Sequence, residues 1–136
     1  MIDYKDATAL VTGAASGIGK ALSEALTARG AFVVLADINE VGVNAAAVEI
    51  GENALAVAVD LAKPEAAAEL VKRAFAWRGR LDLVCSNAGI GHNKKIKNEP
   101  LGPDSELLLA VNLFAAVRIA QAYLRAIEPS GARGRL

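Results

Sequence analysis

The feature that most constrains this chain lies near its start, Ala9-Leu10-Val11-Thr12-Gly13-Ala14-Ala15-Ser16-Gly17-Ile18-Gly19. A short apolar run meets Thr12-Gly13, glycines return at Gly17 and Gly19, and an amphipathic segment follows. That succession predicts a buried strand, a tight turn and the opening of a helix. A side chain in such a turn would hold a phosphate away from the backbone. A bare turn running into a helix N-terminus instead offers unpaired N–H groups and a positive dipole end to an anion. The spacing, Gly-x-x-x-Gly-x-Gly, is one residue wider than the common dinucleotide fingerprint. Taken alone, it also fits an ordinary strand-to-helix turn.

The remaining chain repeats the strand-then-helix pattern. From Ile18 to Arg29 apolar residues recur at Ile18, Leu22, Ala25 and Leu26, with Gly30 placed to end the helix. Phe32 to Ala36 is continuously apolar and ends at Asp37, as expected of a strand covered on both faces. Asn39 is placed to cap a helix through Ile50, with Val41, Ala45 and Val48 on one side. Ala54 to Val59 predicts a third strand, closed by Asp60-Leu61. Pro64 suits a first helical position, and Ala67, Leu70, Val71, Ala74 and Phe75 form the stripe behind it, stopped near Gly79. Leu81 to Ser86 predicts a fourth strand leading into Asn87-Ala88-Gly89. After a polar stretch from Ile90 to Gly102, Asp104 or Ser105 is placed to cap a helix running to Ile127. Its apolar positions are Leu108, Val111, Ala115, Ile119 and Ala122, and Pro129-Ser130-Gly131 stops it.

Four strand–helix units in 136 residues predict one α/β domain of Rossmann-like, three-layer αβα type. Its parallel sheet of about four strands takes the order 3-2-1-4, with right-handed crossovers placing helices on both faces. The composition, 54% hydrophobic but only 4% aromatic, suits helices lying close on such a sheet. Fifteen basic residues balance fifteen acidic ones, so a nucleic-acid or membrane-surface partner is not expected. No uninterrupted apolar run reaches the length of a membrane span, and the polar, partly acidic N-terminus does not resemble a signal peptide. A single cysteine, Cys85, excludes an internal disulfide framework and fits a reducing compartment, so a cytoplasmic location is expected. No metal site is expected.

Asp37 stands at the end of the second strand, 24 positions beyond Gly13. A carboxylate there can accept hydrogen bonds from the hydroxyls of an adenosine ribose. Its charge would repel a 2′-phosphate, and Ile38 beside it offers apolar surface instead of a cation, so NAD is expected over NADP. The alternative is a helix N-cap or a strand-end carboxylate. Asp60 ends the third strand on the same edge and is placed for an adenine contact or for a cap. The small residues Asn87, Ala88 and Gly89 leave the fourth strand near the point where strand order reverses, either as a close-approach site or as an ordinary turn. His92 follows on the same side, as a base or a loop residue. Lys94, Lys95 and Lys97 read as a solvated loop, and Cys85 as a small core residue rather than a nucleophile.

Together these residues resemble the short-chain dehydrogenase/reductase family. Thr12-Gly13-Ala14-Ala15-Ser16-Gly17-Ile18-Gly19 is similar to its Thr-Gly-x-x-x-Gly-Ile-Gly coenzyme motif. Asp37 matches the acidic residue of NAD-preferring members, and Asp60-Leu61 matches the aspartate near the adenine ring. Asn87-Ala88-Gly89 matches the family's Asn-Ala-Gly, with Ser86 in place of the asparagine that often precedes it. Asn112 matches the family's helix asparagine, the one member of its catalytic set with a counterpart here. The resemblance implies a coenzyme site at Gly13, Ser16, Gly17, Ile18, Gly19, Asp37, Ile38, Asp60, Leu61, Asn87, Ala88 and Gly89. It also implies hydride transfer between NAD and a small alcohol or carbonyl substrate.

The family's catalytic serine and Tyr-x-x-x-Lys pair have no counterpart. Tyr4 precedes the first strand, and Tyr123 is followed four residues later by Ile127. Gly134-Arg135-Leu136 reads as the entrance to a fifth strand, so the chain is expected to be the coenzyme-binding half of such an enzyme, inactive by itself. A non-catalytic nucleotide-binding module and an oligomerising structural protein are the other readings. An open sheet edge at the fourth strand and apolar helix faces then favour a homo-oligomer.

Overall fold

A computed structural model of the protein describes residues 3–91 and 100–130. Four strands form one parallel sheet, β1 (Thr8–Thr12), β2 (Phe32–Asp37), β3 (Ala54–Ala58) and β4 (Leu83–Cys85), in the order β3-β2-β1-β4. This is the expected order. Between them run α1 (Gly17–Thr27), α2 (Glu40–Ile50) and α3 (Ala66–Arg78). A long composite helix follows β4: α4 (Pro103–Leu109), a π segment (Ala110–Phe114) and α5 (Ala115–Ile127).

Alternate residues of each strand enter opposite layers, as a pleated strand requires. Ala9, Val11, Val33 and Leu35 join Leu26 of α1 and Val43 and Ala46 of α2 in one core. Leu10, Val34, Ala36, Val57 and Val84 join the buried stripes of α3 and α5 in the other. Both faces are therefore covered, fully at β1 and across most of β2, which explains why the strands read as unbroken apolar runs. Tyr123 is fully buried in the second core.

Several expectations are corrected. Helix α2 buries Val43 and Ala46 rather than Val41, Ala45 and Val48; Val41 is 80% and Val48 82% exposed. Apolar residues surround this helix, so no unique stripe is written into it. The cap sets its rotation instead: Asn39 Oδ1 accepts from the Gly42 N–H at 3.0 Å. Gly42 faces the glycine turn, where a Cβ would stand 3.1 Å from that of Ala15. In α1 the buried residues are Gly19, Ser23 and Leu26, and Ile18 is exposed. Helix α3 begins at Ala66 after Glu65, two residues beyond Pro64. Strand β4 covers only Leu83–Cys85. The last helix starts on Gly102 and Pro103 rather than on an Asp104 or Ser105 cap. It buries Ala115, Ile119, Tyr123 and Ile127, whereas Leu108 and Val111 are only partly covered, because the π turn breaks the single period assumed for it. At 25 residues this helix is long and apolar enough to cross a membrane by length and composition alone, although charged and polar residues interrupt its apolar run. Its buried stripe packs on α3 and the sheet.

Candidate functional site

The C-terminal ends of the four strands form one edge, where ligands bind in open parallel sheets. Here β1 ends in Thr12 and enters the glycine turn. Gly13 adopts φ +66°, and a Cβ on it would lie 2.9 Å from Ala88 Cα. Only glycine lets the turn cross so close to the segment leaving β4. Gly19 is pressed against the start of the same turn, where a Cβ would fall 2.1 Å from the Gly13 carbonyl oxygen. Gly17 also has positive φ, +54°, but meets nothing within 4 Å, so its backbone faces open space.

Helix α1 leaves the turn with its N-terminus uncommitted. Ser16 occupies the cap position in extended conformation but makes no side-chain cap hydrogen bond, and no acidic residue lies in the first turn. The leading N–H groups of a helix lack intrahelical partners. Among the described residues, neither a cap side chain nor a first-turn carboxylate occupies this dipole end, which suits an outside anion. Ser16, Gly17 and Ile18 are exposed there, while Gly19 is buried.

Asp37 closes one side of the turn. Its Oδ2 accepts from the Ala15 N–H at 3.0 Å and its Oδ1 from the Asn39 N–H at 2.9 Å. A pocket of about 180 Å³ beside it is lined by Gly13, Asp37, Ile38, Asp60, Leu61 and Ile90, among others. That is smaller than the ~300–1,000 Å³ of sites that enclose a drug-sized ligand, so only one end of a dinucleotide would be enclosed. Asp60 Oδ1 accepts from the Ala62 N–H at 3.0 Å, which closes the turn after β3 rather than capping α3. Leu61 is buried, and Ile38 is 70% exposed. A larger groove of about 670 Å³ lies elsewhere, between α3 and α5. Size alone would select it, but it lies away from the strand ends that bring the motif residues together.

On the other side, the Thr12 side-chain oxygen accepts from the backbone N–H groups of Asn87 and Ala88, each at 3.0 Å. Asn87 Nδ2 donates back to the Thr12 carbonyl at 3.0 Å. Asn112, in the π segment, accepts from the Ile90 N–H and donates to the Ile90 carbonyl, both at 2.8 Å. Its amide is thus spent on the chain just after Gly89. Cys85 is half-buried, and burial raises its thiol above the ordinary value, which fits a core residue rather than a nucleophile.

The structure brings together Gly13, Asp37, Ile38, Asp60, Leu61, Ala88 and Gly89 around one pocket, with Ser16, Gly17, Ile18 and Gly19 at the adjoining helix start. His92, Lys94, Lys95 and Lys97 lie outside the described residues, as do Gly134, Arg135 and Leu136. Residues missed at the sequence level are Thr12 as a clamp, Ala15 as the donor to Asp37, Ile90 as the partner of Asn112, and Val59, Leu107 and Val111 as lining. Thr12 alone had a visible signal, a hydroxyl at the end of an otherwise apolar strand.

These features define a Rossmann-like three-layer fold with its glycine turn at the point where strand order reverses. More narrowly, residues 7–136 match the family model described as short chain dehydrogenase, and the chain belongs to that family. It is 40% identical over 129 residues to the 1-deoxy-11-beta-hydroxypentalenate dehydrogenase of Streptomyces avermitilis, an alignment covering 91% of this chain and 47% of that protein. Among solved structures it is similar to a 3-ketoacyl-(acyl-carrier-protein) reductase from Brucella melitensis complexed with NADH. There the TM-score is 0.86 and the identity 30%, over 93% of this chain and 52% of that one. A metagenomic short-chain oxidoreductase in complex with NADP gives a TM-score of 0.85 and 32% identity, over 98% of this chain and 60% of that one. The chain spans about half the length of the curated relatives it matches.

Proposed function

We propose that this chain binds NAD(H) and supplies the coenzyme-binding part of an oxidoreductase acting between an alcohol and a carbonyl. The observation that carries the reading is the joining of Gly13, Asp37 and Asp60 around one pocket beside an uncapped helix start. Gly13, Gly17 and Gly19 keep the turn bare, and the N–H groups beyond Ser16 and at Ile18 receive the pyrophosphate. Asp37 accepts the ribose hydroxyls, while Ile38, Asp60 and Leu61 border the adenine. Asn87, Ala88 and Gly89 let the remainder of the dinucleotide pass close to the backbone. The bound nicotinamide would supply hydride exchange. Asn112 serves that end of the site as a positioning residue, because its amide holds Ile90.

Solved relatives carry NADH in one case and NADP in another, so the preference for NAD rests on Asp37 and on the absence of a cation at Ile38. Calorimetric titration tests it: NADH should bind at least tenfold more tightly than NADPH, about 1.4 kcal/mol. Equal affinities would remove the selectivity, and no binding of either at millimolar concentration would remove the function. The 136-residue chain by itself should turn nothing over, because neither tyrosine is followed by lysine four residues later. Coenzyme-linked activity in a pure preparation would refute that and the module reading together.

Self-association is part of the same proposal. Among the described residues strand β4 is an edge of the sheet, and Leu113, Phe114, Val117 and Leu124 are exposed on the last helix. Sedimentation velocity should show a species larger than 14.0 kDa that Leu113→Glu with Leu124→Glu reduces; a monomer at all concentrations would count against it.

A further inference from the structure

We infer that Asp37 is a positioning residue for the glycine turn as well as a contact for coenzyme, so that its acceptor oxygen and its charge have opposite effects on phosphate binding. The inference rests on the proposed reading of the turn as a pyrophosphate cradle. Its basis is the bond from the Ala15 N–H to Asp37 Oδ2 at 3.0 Å, which ties the middle of the turn to the end of β2. The neighbouring tie, the Ala14 N–H to the Ala36 carbonyl at 3.2 Å, fixes only the residue before. The carboxylate is itself held by the Asn39 N–H at 2.9 Å, and Asn39 in turn caps α2 through Gly42. Gly42 lies close against Ala15, whose Cβ would stand 3.1 Å from a Cβ on it. The turn, the end of β2 and the start of α2 therefore share one carboxylate.

An ionised carboxylate has about four acceptor positions, and these two N–H groups use two of them. Ribose hydroxyls can add to the same group without displacing the Ala15 tie. The negative charge, however, opposes any phosphate brought to the turn. Removing the charge while keeping an acceptor should strengthen anion binding. Removing both should free Ala15 and forfeit that gain. The chain's discrimination against a 2′-phosphate and the shape of its phosphate cradle are thus two properties of one side chain. A neutral substitution made to admit NADP succeeds only if it still accepts from Ala15.

The test compares Asp37→Asn, which keeps a carbonyl oxygen, with Asp37→Ala, which does not. Both remove the same charge, so repulsion alone predicts equal affinities for inorganic pyrophosphate. The turn-holding role predicts weaker binding to Asp37→Ala than to Asp37→Asn by about fivefold or more, and the same order for NADPH. Amide exchange followed by NMR without any ligand reads the tie directly. Exchange at Ala15 should rise about tenfold in Asp37→Ala, equivalent to about 1.4 kcal/mol, and stay near the wild-type rate in Asp37→Asn. Unchanged exchange in Asp37→Ala, or pyrophosphate bound equally well by both variants while Ala15 exchanges faster only in Asp37→Ala, overturns the inference. If Asp37→Ala does not fold, Asp37→Asn decides alone: its amide has one oxygen for the Ala15 and Asn39 N–H groups, so tenfold faster exchange at Ala15 together with tighter pyrophosphate binding is the overturning result. Wild-type protein that binds no pyrophosphate rejects the cradle instead, and the exchange data still judge the role of Asp37.

Discussion

Thr12 and Asn87 are bonded in both directions across the end of the sheet: the Asn87 N–H donates to Thr12 Oγ1, and Asn87 Nδ2 donates to the Thr12 carbonyl, each at 3.0 Å. With the Ala88 N–H on the same hydroxyl, β1 and β4 stay joined beyond the last ladder pair, Val11 with Cys85. The glycine turn and the Asn-Ala-Gly segment are therefore tied directly to each other.

Replacing Thr12 by Val removes the acceptor of two part-buried N–H groups and should cost about 2–4 kcal/mol. Thr8, four residues earlier and equally buried, gives the contrast, since its Oγ1 has no hydrogen-bond partner among the described residues. Thr8→Val should therefore be neutral or stabilising by up to about 1 kcal/mol. Urea unfolding of the two variants checks the pair, and similar losses in both would contradict it.

Gly19→Ala should unfold the turn or the protein. Its Cβ would be driven to 2.1 Å from a backbone oxygen that cannot yield cheaply, a loss of at least about 3 kcal/mol. Gly17→Ala meets no neighbour and carries only the strain of φ +54°, about 1–2 kcal/mol. It should fold yet weaken NADH, because its methyl group stands where the backbone faces open space. Thermal melts with a coenzyme titration separate the two effects. A stable Gly19→Ala would disprove the close approach.

Asn112→Ala should release Ile90 at a cost of about 1–2 kcal/mol, felt locally. Faster amide exchange at Ile90 with unchanged exchange in β2 is the expected signature. Uniform acceleration throughout the sheet would instead mean that Asn112 supports the fold as a whole.

The Cys85 thiol gives the stability a direction with pH. Burial raises its folded value above the unfolded one. Its contribution is fully present below the ordinary thiol range and is lost as pH climbs through the raised value. Denaturation from pH 7 to 10 should therefore show wild type losing more stability than Cys85→Ala. Parallel curves would count against it.

The strands and their order were legible because each is covered on both faces and so unbroken in its apolar run. The glycine turn and Asp37 were legible because close approach and charge leave few residue types to choose from. The rotation of α2 was hidden, since Val41 and Val48 are as apolar as Val43, and the choice between them was made by Asn39 and Gly42. Ala15 and Ile90 escaped notice because they act through backbone atoms, which every residue possesses.

The π segment turns chain length into a constraint. A one-residue bulge offsets whatever precedes it by about 100° relative to an unbroken α-helix. Leu107 and Val111 line the pocket at that offset, while Ala115 and Ile119 seat on the sheet. Deleting one residue between Ala110 and Phe114 would leave the composition almost unchanged and put the two ends out of phase. One of the two contacts, with the pocket or with the sheet, would then have to be given up.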